Sequence, residues 1–314
     1  MEVIHLKYPY QLIKQQEEAY SMALGFFDGV HLGHQAVIQQ AKQHAYDKDV
    51  KTAVMTFDPH PSIVLGGRSE QVFYITLMPE KLRLLEALGV DTVFVVQFTS
   101  DFARLSPAAF IDTFIRDMNV VHVTAGFDYS FGSKGAGTMA EMQQLSNNDY
   151  DVTIVDKQTI EEDKVSSTRI RRMLEAGDME GAHALLGRPF AIDGIVIQGD
   201  KRGRQIGFPT ANVQCAEGSF IPAIGVYAVR IKVQDAWYDG VCNVGYVPTF
   251  KDNNKHITVE VHILNFDKNI YGEEVQVTWY KRIRSEQKFD GIEALITQIA
   301  KDKDATIQYF TNLV

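Results

Sequence analysis

The chain has 314 residues, a length typical of two domains of ordinary size. Hydrophobic residues make up 45% of the sequence and charged residues 23%, which excludes a disordered or collagen-like chain. Lys and Arg number 31 against 40 Asp and Glu, so the net charge is −9. We therefore expect no binding to nucleic acid or to anionic membranes, and any polyanion must be held at a local site.

The two cysteines, Cys215 and Cys242, form neither a CxxC pair nor a metal-binding spacing. The first residues contain no basic segment followed by an apolar core, and no stretch approaches about 18 consecutive apolar residues. These features predict a cytoplasmic protein without a secretory signal or a membrane span.

Strands and helices alternate along the first half of the chain. Apolar runs predict buried strands at residues 21–27, 52–57, 91–98, 120–125 and 152–155. Helical patterns lie between them, at residues 35–45, at residues 79–88 and after Ser106-Pro107. The alternation predicts an α/β domain with a parallel sheet, whose ligands lie beyond the carboxyl ends of the strands.

The pattern changes near residue 187, after two predicted short helices at residues 169–176 and 179–186. Alternating runs then predict strands at residues 191–198, 226–233, 237–244, 256–265 and 274–280. Strands of this length and spacing indicate an antiparallel sheet or small β-barrel, closed by a helix at residues 289–302. We therefore place the two domains at residues 1–186 and 187–314.

The strongest motif is the segment Gly25-Phe-Phe-Asp-Gly-Val-His-Leu-Gly-His34, which continues a predicted buried strand. Asp28 begins a tight turn, and His31 and His34 follow at the start of a helix. Gly33 lets the backbone approach a ligand, and the free N–H groups of a helix start favour phosphate. The pattern suits attack on an α-phosphate with pyrophosphate leaving, although an isolated HxxH is more often an exposed helix start.

This segment resembles the HxGH-type nucleotidyltransferase signature in the form found in bacterial FAD synthetases. Three further segments fit the same family in the same order: Thr56-Phe-Asp-Pro-His-Pro61, Gly126-Phe-Asp-Tyr-Ser-Phe-Gly132 and Ser166-Ser-Thr-Arg-Ile-Arg171. The resemblance implies a Rossmann-like nucleotidyltransferase domain that transfers the adenylyl group of ATP to FMN.

The resemblance also implies residue roles in this first domain. His31, His34 and Arg171 are the implied catalytic residues, with Arg171 neutralising the pyrophosphate. The implied ATP-binding residues are Gly25, Phe27, Asp28, Gly33, His34, Ser167, Thr168 and Arg171. The implied flavin-binding residues are Asp58, His60, Asp128 and Phe131. Lys134 is the candidate substitute for an arginine that the family usually has after Gly132.

Two other nucleotide-binding patterns fit the sequence less well or not at all. The segment Gly135-Ala-Gly-Thr-Met-Ala140 matches a GxGxxA dinucleotide-binding pattern, but it does not directly follow a predicted strand. The sequence holds no GxxxxGK[ST], which excludes a P-loop enzyme.

The second half contains a glycine-rich basic run, Gly199-Asp-Lys-Arg-Gly-Arg-Gln-Ile-Gly-Phe-Pro-Thr-Ala-Asn212. Its N–H groups suit phosphates, and the side chains of Thr210 and Asn212 offer oxygen ligands for Mg²⁺. Glu260 shares one face of an alternating strand with Thr258 and His262, where a carboxylate can accept the proton of a substrate alcohol. A solvated turn and an exposed strand glutamate are the plain alternatives.

This half resembles riboflavin kinase, through the segment Gly203–Asn212, through Asn243-Val-Gly-Tyr-Val-Pro-Thr249, through Val259-Glu-Val-His262 and through Arg284-Ser-Glu-Gln-Lys-Phe289. The resemblance implies Glu260 as the general base for the riboflavin 5′-hydroxyl. It implies ATP binding by Gly203, Gly207, Thr210 and Asn212, a Mg²⁺ ion held by Thr210 and Asn212, and flavin contacts by Arg284 and Glu286.

Together the resemblances predict an enzyme that phosphorylates riboflavin to FMN and adenylylates FMN to FAD. ATP is the implied co-substrate and Mg²⁺ the implied metal for both steps. The expected partners are small molecules, with self-association left open. Two alternatives remain at this point: a nucleotidyltransferase for another acceptor, such as pantetheine phosphate or nicotinamide mononucleotide, joined to an unrelated β module, or a flavin-binding sensor without turnover.

Overall fold

A computed structural model describes residues 1–9, 18–66, 72–199, 202–247 and 256–313. The chain divides into two compact units, Met1–Ser167 and Thr168–Val314. The second unit includes the two short helices that precede residue 187, so the boundary after residue 186 stays a prediction that fragments can test.

Six parallel strands form the sheet of the first unit, in the order β1-β4-β3-β2-β5-β8. These strands are β1 Glu2–Leu6, β2 Tyr20–Leu24, β3 Lys51–Asp58, β4 Thr92–Gln97, β5 Val120–Gly126 and β8 Asp151–Val155. The predicted parallel sheet is confirmed. The pattern missed β1, an edge strand whose single buried side chain, Leu6, gives no apolar run.

The described part of this unit also contains five α-helices, two short ribbons and three short 3-10 or π-helical turns. The helices are α1 Leu32–Lys48, α2 Pro61–Leu65, α3 Met78–Ala87, α4 Pro107–Ile111 and α5 Met139–Leu145. The ribbons pair β6 Ser130–Phe131 with β7 Gly137–Thr138, and β9 Thr159–Ile160 with β10 Asp163–Lys164. Ser106 caps α4 by accepting the N–H of Ala109, as its position before Pro107 predicts.

Both faces of the sheet are covered, because successive side chains of a strand point in opposite directions. In β2, Met22 belongs to one buried cluster together with Phe94 and Phe114. Its neighbour Ala23 belongs to the other cluster, together with Val37 of α1 and Leu85 of α3. The carboxyl ends of the strands are therefore the edge at which polar groups can gather.

The second unit contains a closed barrel of six antiparallel strands, in the order β11-β12-β15-β14-β13-β16. The strands are β11 Phe190–Ile197, β12 Ala211–Cys215, β13 Gly225–Val233, β14 Ala236–Val247, β15 His256–Ile263 and β16 Glu274–Arg284. The helices are α6 Ser167–Ala176, which begins at the last residue of the first unit, α7 Met179–Leu186, α8 Arg202–Gln205 and α9 Ile292–Thr311. The predicted barrel and closing helix are confirmed.

The closing helix α9 is longer than the predicted span of 289–302. Asp302, Thr306 and Phe310 are buried at a spacing of four residues, so the inward face continues past the polar run that ended the predicted helix. In the described residues, none of the helices combines the length and the apolar character that crossing a bilayer requires.

The helices α6 and α7 lie against the barrel. Arg282 of β16 donates from Nη1 to the carbonyl oxygen of Ala176 at 3.2 Å and from Nη2 to that of Ile224 at 2.6 Å. The N–H of Ala223 donates to the carbonyl oxygen of Leu174 at 3.0 Å. The apolar side chains of α7 are buried, so these helices cover part of the barrel surface.

We expect a fragment of residues 168–314 to be more stable than a fragment of residues 188–314. Removing α6 and α7 uncovers apolar barrel surface, which lowers the free energy of unfolding by at least about 3 kcal/mol if two large side chains lose their cover. Urea unfolding followed by tryptophan fluorescence measures the difference. Equal unfolding midpoints would contradict this expectation and would support a boundary at residue 187.

Candidate active sites

The turn between β2 and α1 carries the first motif and has an unusual backbone. Phe27, Gly29 and Val30 have φ angles of 57°, 88° and 41°, in the region that favours glycine. The ring of Phe27 lies over Gly25, where an added Cβ would be 2.8 Å from a ring carbon. Strained residues of this kind persist only where the surrounding structure holds them.

Asp28 fixes this turn through three hydrogen bonds. Its buried carboxylate accepts the backbone N–H groups of Ile75 at 3.3 Å and Thr76 at 3.1 Å. Its carbonyl oxygen accepts the hydroxyl of Ser167 at 2.9 Å. Asp28 and Ser167, two predicted site residues that lie 139 positions apart, are therefore brought together.

The two motif histidines stand in contact at the start of the 17-residue helix α1. His31 is the N-cap residue, and its Nδ1 accepts the backbone N–H of His34 at 3.2 Å. The two rings are stacked, with centroids 3.5 Å apart, and the ring of His34 also meets the edge of Phe27 at 5.3 Å. A Cβ at Gly33 would lie 3.2 Å from the His31 ring, so a larger residue there would press on that ring.

Burial holds the pKa of His34 well below its ordinary value, and the charges of His31, Lys81 and Lys164 lower that pKa further. His34 is therefore neutral near pH 7. A neutral imidazole offers one N–H, so His34 can act as a hydrogen-bond donor to a phosphate oxygen but not as a cation.

His60 lies beside this turn in an aromatic cluster that the sequence did not predict. Its ring meets the ring of Phe26 at 4.5 Å, and Phe26 stacks on Tyr74 at 6.2 Å. The backbone N–H of His60 donates to the Tyr74 hydroxyl at 3.1 Å. Asp58 is exposed at the end of β3, two residues before His60.

The roles of four further predicted residues stay predictions: Asp128, Phe131, Thr168 and Arg171. Asp128 is exposed and forms an ion pair with Lys164. Phe131 is buried in the core, 5.2 Å from the ring of Phe110, so its flavin contact stays a prediction. Thr168 and Arg171 belong to the second compact unit, and their roles toward ATP also stay predictions.

In the second unit, strand register assembles a row of polar side chains. Asn212 of β12 lies opposite Glu260 of β15, and Glu260 lies opposite Asn243 of β14. Val259 and Val261 are buried on the other face of β15, so the row faces outward. Glu260 is half-buried, as the alternation of its strand predicts.

In the loop before β12, Gly199 packs closely against Asn212 and Gly203 packs closely against Phe208. A Cβ at Gly199 would lie 2.3 Å from the side-chain Nδ2 of Asn212, and a Cβ at Gly203 would lie 2.3 Å from the carbonyl oxygen of Phe208. The latter position is also 3.6 Å from Oγ1 of Thr210. Gly207 has a φ of 85°, where glycine avoids strain.

His262 holds this loop, a role that the sequence did not predict. Its Nδ1 lies 2.8 Å from the carbonyl oxygen of Pro209, and its ring meets the edge of Phe208 at 5.5 Å. Burial lowers the pKa of His262, so the neutral ring donates its Nδ1–H to that carbonyl. The strand that carries Glu260 therefore also fixes the segment that carries Thr210 and Asn212.

A cavity of about 480 Å³ opens beside Thr210 and Asn212. This volume is within the usual range of small-molecule sites. Its other polar and aromatic lining residues are Arg204, Phe266, Asp267, Lys268, Asn269 and Tyr271. The two cationic side chains and the hydroxyl and amide of the loop suit a polyphosphate.

The predicted flavin residue Arg284 is engaged with the closing helix. Its Nε and Nη2 donate to the buried carboxylate of Asp302 at 2.9 and 2.8 Å, and its Nη1 donates to the carbonyl oxygen of Ser285 at 3.0 Å. Glu286 comes close to the polar row, since its Oε1 lies 3.3 Å from an added Cβ at Gly245. Flavin binding by Arg284 and Glu286 stays a prediction.

The side chains of the described residues also limit where a metal ion can bind. Among the residues that the structure describes, no group of three or more His, Cys, Asp or Glu side chains could hold one. The hydroxyl of Thr210 and the amide oxygen of Asn212 are hard oxygen ligands, which suit Mg²⁺ when nucleotide phosphates supply the remaining ligands.

Comparison with known families gives two matches. The sequence model of FAD synthetase matches residues 13–169, and the model of riboflavin kinase matches residues 186–310. Two relatives, both bifunctional riboflavin kinase/FMN adenylyltransferases, are 49% identical to this chain. The protein of Listeria monocytogenes aligns over 313 residues and that of Bacillus subtilis over 314, in each case covering 100% of this chain and 99% of the relative.

A solved structure is similar over the same length. The crystal structure of a protein from Streptococcus pneumoniae, described as a macrolide-efflux protein, is 35% identical with a TM-score of 0.90. The alignment covers 98% of this chain and 99% of that one. The full-length match to curated bifunctional enzymes decides between the alternatives left open by the sequence. The chain belongs to the family of bifunctional riboflavin kinases/FMN adenylyltransferases, with the adenylyltransferase in its first half and the kinase in its second.

Proposed function

We propose that the cavity beside Thr210 and Asn212 binds ATP and that Glu260 is the general base of riboflavin phosphorylation. The 5′-hydroxyl oxygen of riboflavin forms a bond to the γ-phosphorus, the bond to the β-phosphate oxygen breaks, and ADP leaves. The hydroxyl proton passes to the Glu260 carboxylate. The observation that supports this proposal is the strand register, which sets Glu260 opposite Asn212, and Asn212 lines the cavity.

The Thr210 hydroxyl and the Asn212 amide oxygen are the proposed protein ligands of Mg²⁺, which would neutralise phosphate charge during the transfer. His262 supports this role because it fixes Pro209, the residue next to Thr210. Gly203 and Gly207 contribute by letting the backbone N–H groups of the loop approach the phosphates.

For the first unit we propose that an FMN phosphate oxygen attacks the α-phosphorus of ATP and that pyrophosphate leaves. His31, His34 and the free N–H groups at the start of α1 stabilise the charge on the transferred phosphoryl oxygens. Gly25, Phe27, Asp28 and Gly33 shape the turn that presents them. The contributions of Ser167, Thr168, Arg171, Asp58, His60 and Asp128 are part of the same proposal.

We also propose that the protein works in the cytoplasm on small-molecule substrates and does not bind nucleic acid. The net charge of −9 opposes phosphate backbones, and both cysteines are free thiols, as is usual in a reducing compartment. Self-association is a further prediction, which sedimentation of the full chain would test.

Replacing Glu260 by glutamine should lower the rate of riboflavin phosphorylation by about 10²- to 10⁴-fold, because the amide cannot accept the hydroxyl proton. FMN adenylylation should continue at its normal rate in the same preparation. Chromatographic separation of FMN and FAD over time measures both rates. The control is Glu274→Gln, which changes an exposed glutamate of β16, and equal loss of both activities in Glu260→Gln would contradict the proposal.

Replacing both His31 and His34 by alanine should have the opposite effect. Loss of two positioned donors should slow FAD formation by about 10²-fold or more, while riboflavin phosphorylation stays normal. Release of pyrophosphate from ATP and FMN is the measurement. The matched control is His5→Ala, on the edge strand β1. Unchanged FAD formation in the double variant would contradict the proposed role of the two histidines.

Thr210→Val keeps the volume of the side chain but removes the hydroxyl ligand. The Mg²⁺ concentration for half-maximal phosphorylation should rise by about tenfold, since one of few protein ligands is lost. A Mg²⁺ titration at fixed ATP measures this shift. An unchanged titration curve would argue against Thr210 as a ligand.

A further inference from the structure

Lys81 is a buried lysine on the inward face of α3. Its relative exposure is 2%, and it shares the buried face with Leu85, one helical turn further on. Burying an ammonium group costs free energy unless hydrogen bonds and opposite charges compensate for the lost water. The hydrogen bonds of Lys81 therefore indicate which part of the fold its charged group stabilises.

The ammonium group contacts the chain just before the left-handed turn. Nζ donates to the carbonyl oxygen of Phe26 at 2.8 Å and lies 3.4 Å from Oγ1 of Thr56. It also stands 4.4 Å from the centre of the Phe26 ring, within cation–π range. The Thr56 hydroxyl donates to the same Phe26 carbonyl at 2.9 Å. One backbone carbonyl is thus held by two side chains from different elements.

These bonds form a reciprocal clamp with Asp28. The Asp28 carboxylate reaches from the turn to Ile75 and Thr76, just before α3, while Lys81 reaches back from α3 to Phe26. Phe26 and Asp28 flank Phe27, the first residue with a left-handed backbone. The clamp therefore fixes both sides of a strained residue, and His31 and His34 follow directly along the chain.

The clamp is also charged. The titratable groups that interact with Lys81 are Asp28 in the turn, Asp58 at the end of β3 and His34 on α1, and Tyr74 before α3 lies near the two aspartates. Burial lowers the pKa of Lys81 to about 8, and the two aspartates oppose this shift. The positive charge of Lys81 in turn lowers the pKa of His34 and helps to keep that imidazole neutral.

We propose that Lys81 is a positioning residue for adenylyl transfer, whose ammonium group holds the Phe26 carbonyl and so keeps His31 and His34 in reacting geometry. This inference rests on the proposed roles of the two histidines. Lys81 acts through the turn rather than on the substrate, so its loss should affect kcat more than KM.

The protonation state of Lys81 adds a pH dependence. A lysine with a lowered pKa is charged below that pKa and neutral above it, and the neutral amine is a weaker donor without a positive field. FMN adenylylation should therefore decline as the pH rises through about 8. Riboflavin phosphorylation, measured in the same samples, controls for effects of pH on ATP and Mg²⁺.

The test uses the full-length protein and two substitutions. Lys81→Met removes the donor and should lower kcat for FAD formation by about 10- to 100-fold, with KM for ATP and FMN changed by less than about threefold. Lys81→Gln retains a donor that does not titrate, so it should recover part of the rate and lose the decline near pH 8. Lys42→Met is the matched control, since Lys42 donates to the Leu88 carbonyl at 3.0 Å, at the other end of α3.

Each outcome decides the proposal. A Lys81→Met rate within twofold of the wild type, or a Lys81→Gln profile with the wild-type alkaline decline, overturns it. If Lys42→Met loses as much activity as Lys81→Met, the effect comes from the stability of α3. That outcome would also overturn the proposal. The proposed histidine roles fail separately, because FAD formation would then survive in the His31 and His34 double variant whatever Lys81→Met does.

Discussion

The register of hydrogen-bonded strands is the constraint on which both candidate sites depend. In the barrel, the pairing of β12, β15 and β14 sets Asn212, Glu260 and Asn243 side by side. Side chains alternate along a strand, so a slip of one residue would turn Glu260 into the interior and bring Val259 or Val261 to the surface. In the parallel sheet, the shared direction of the strands brings the ends of β2 and β3, and the motifs that follow them, to one edge.

In the described residues, three buried charged groups, Asp28, Lys81 and Asp302, are held by hydrogen bonds to other protein groups. The Asp28 carboxylate receives two backbone N–H groups, and the Lys81 ammonium is held by a carbonyl oxygen. Asp302 receives two nitrogens of Arg284 and the amide of Gln298. An unsatisfied buried charge costs far more than a satisfied one, so each pair also fixes the relative position of the elements that it joins. The closing helix α9 is fixed to β16 in this way.

Neither reaction needs a covalent nucleophile from the protein, since both transfer a phosphoryl-type group to an oxygen of the substrate. Geometry and charge stabilisation supply the catalysis in such reactions. The candidate groups are held by backbone contacts: His31 caps α1, and His262 binds the Pro209 carbonyl. The candidate groups are positioned by a strained turn in the sheet domain and by a glycine-rich loop on the barrel.

The sequence by itself determined the two fold classes, because apolar runs and strict alternation are local patterns. It also placed Glu260 on the face of its strand opposite Val259 and Val261, and His31 at a helix start. It could not predict β1, whose edge position leaves a weak pattern, or the true length of α9, whose inward face includes Asp302. The partners of Lys81 and His262 lie 55 and 53 residues away along the chain. No local pattern encodes such a pairing, so only the packing of α3 on the β2 turn and of β15 on the loop decided what these two side chains hold.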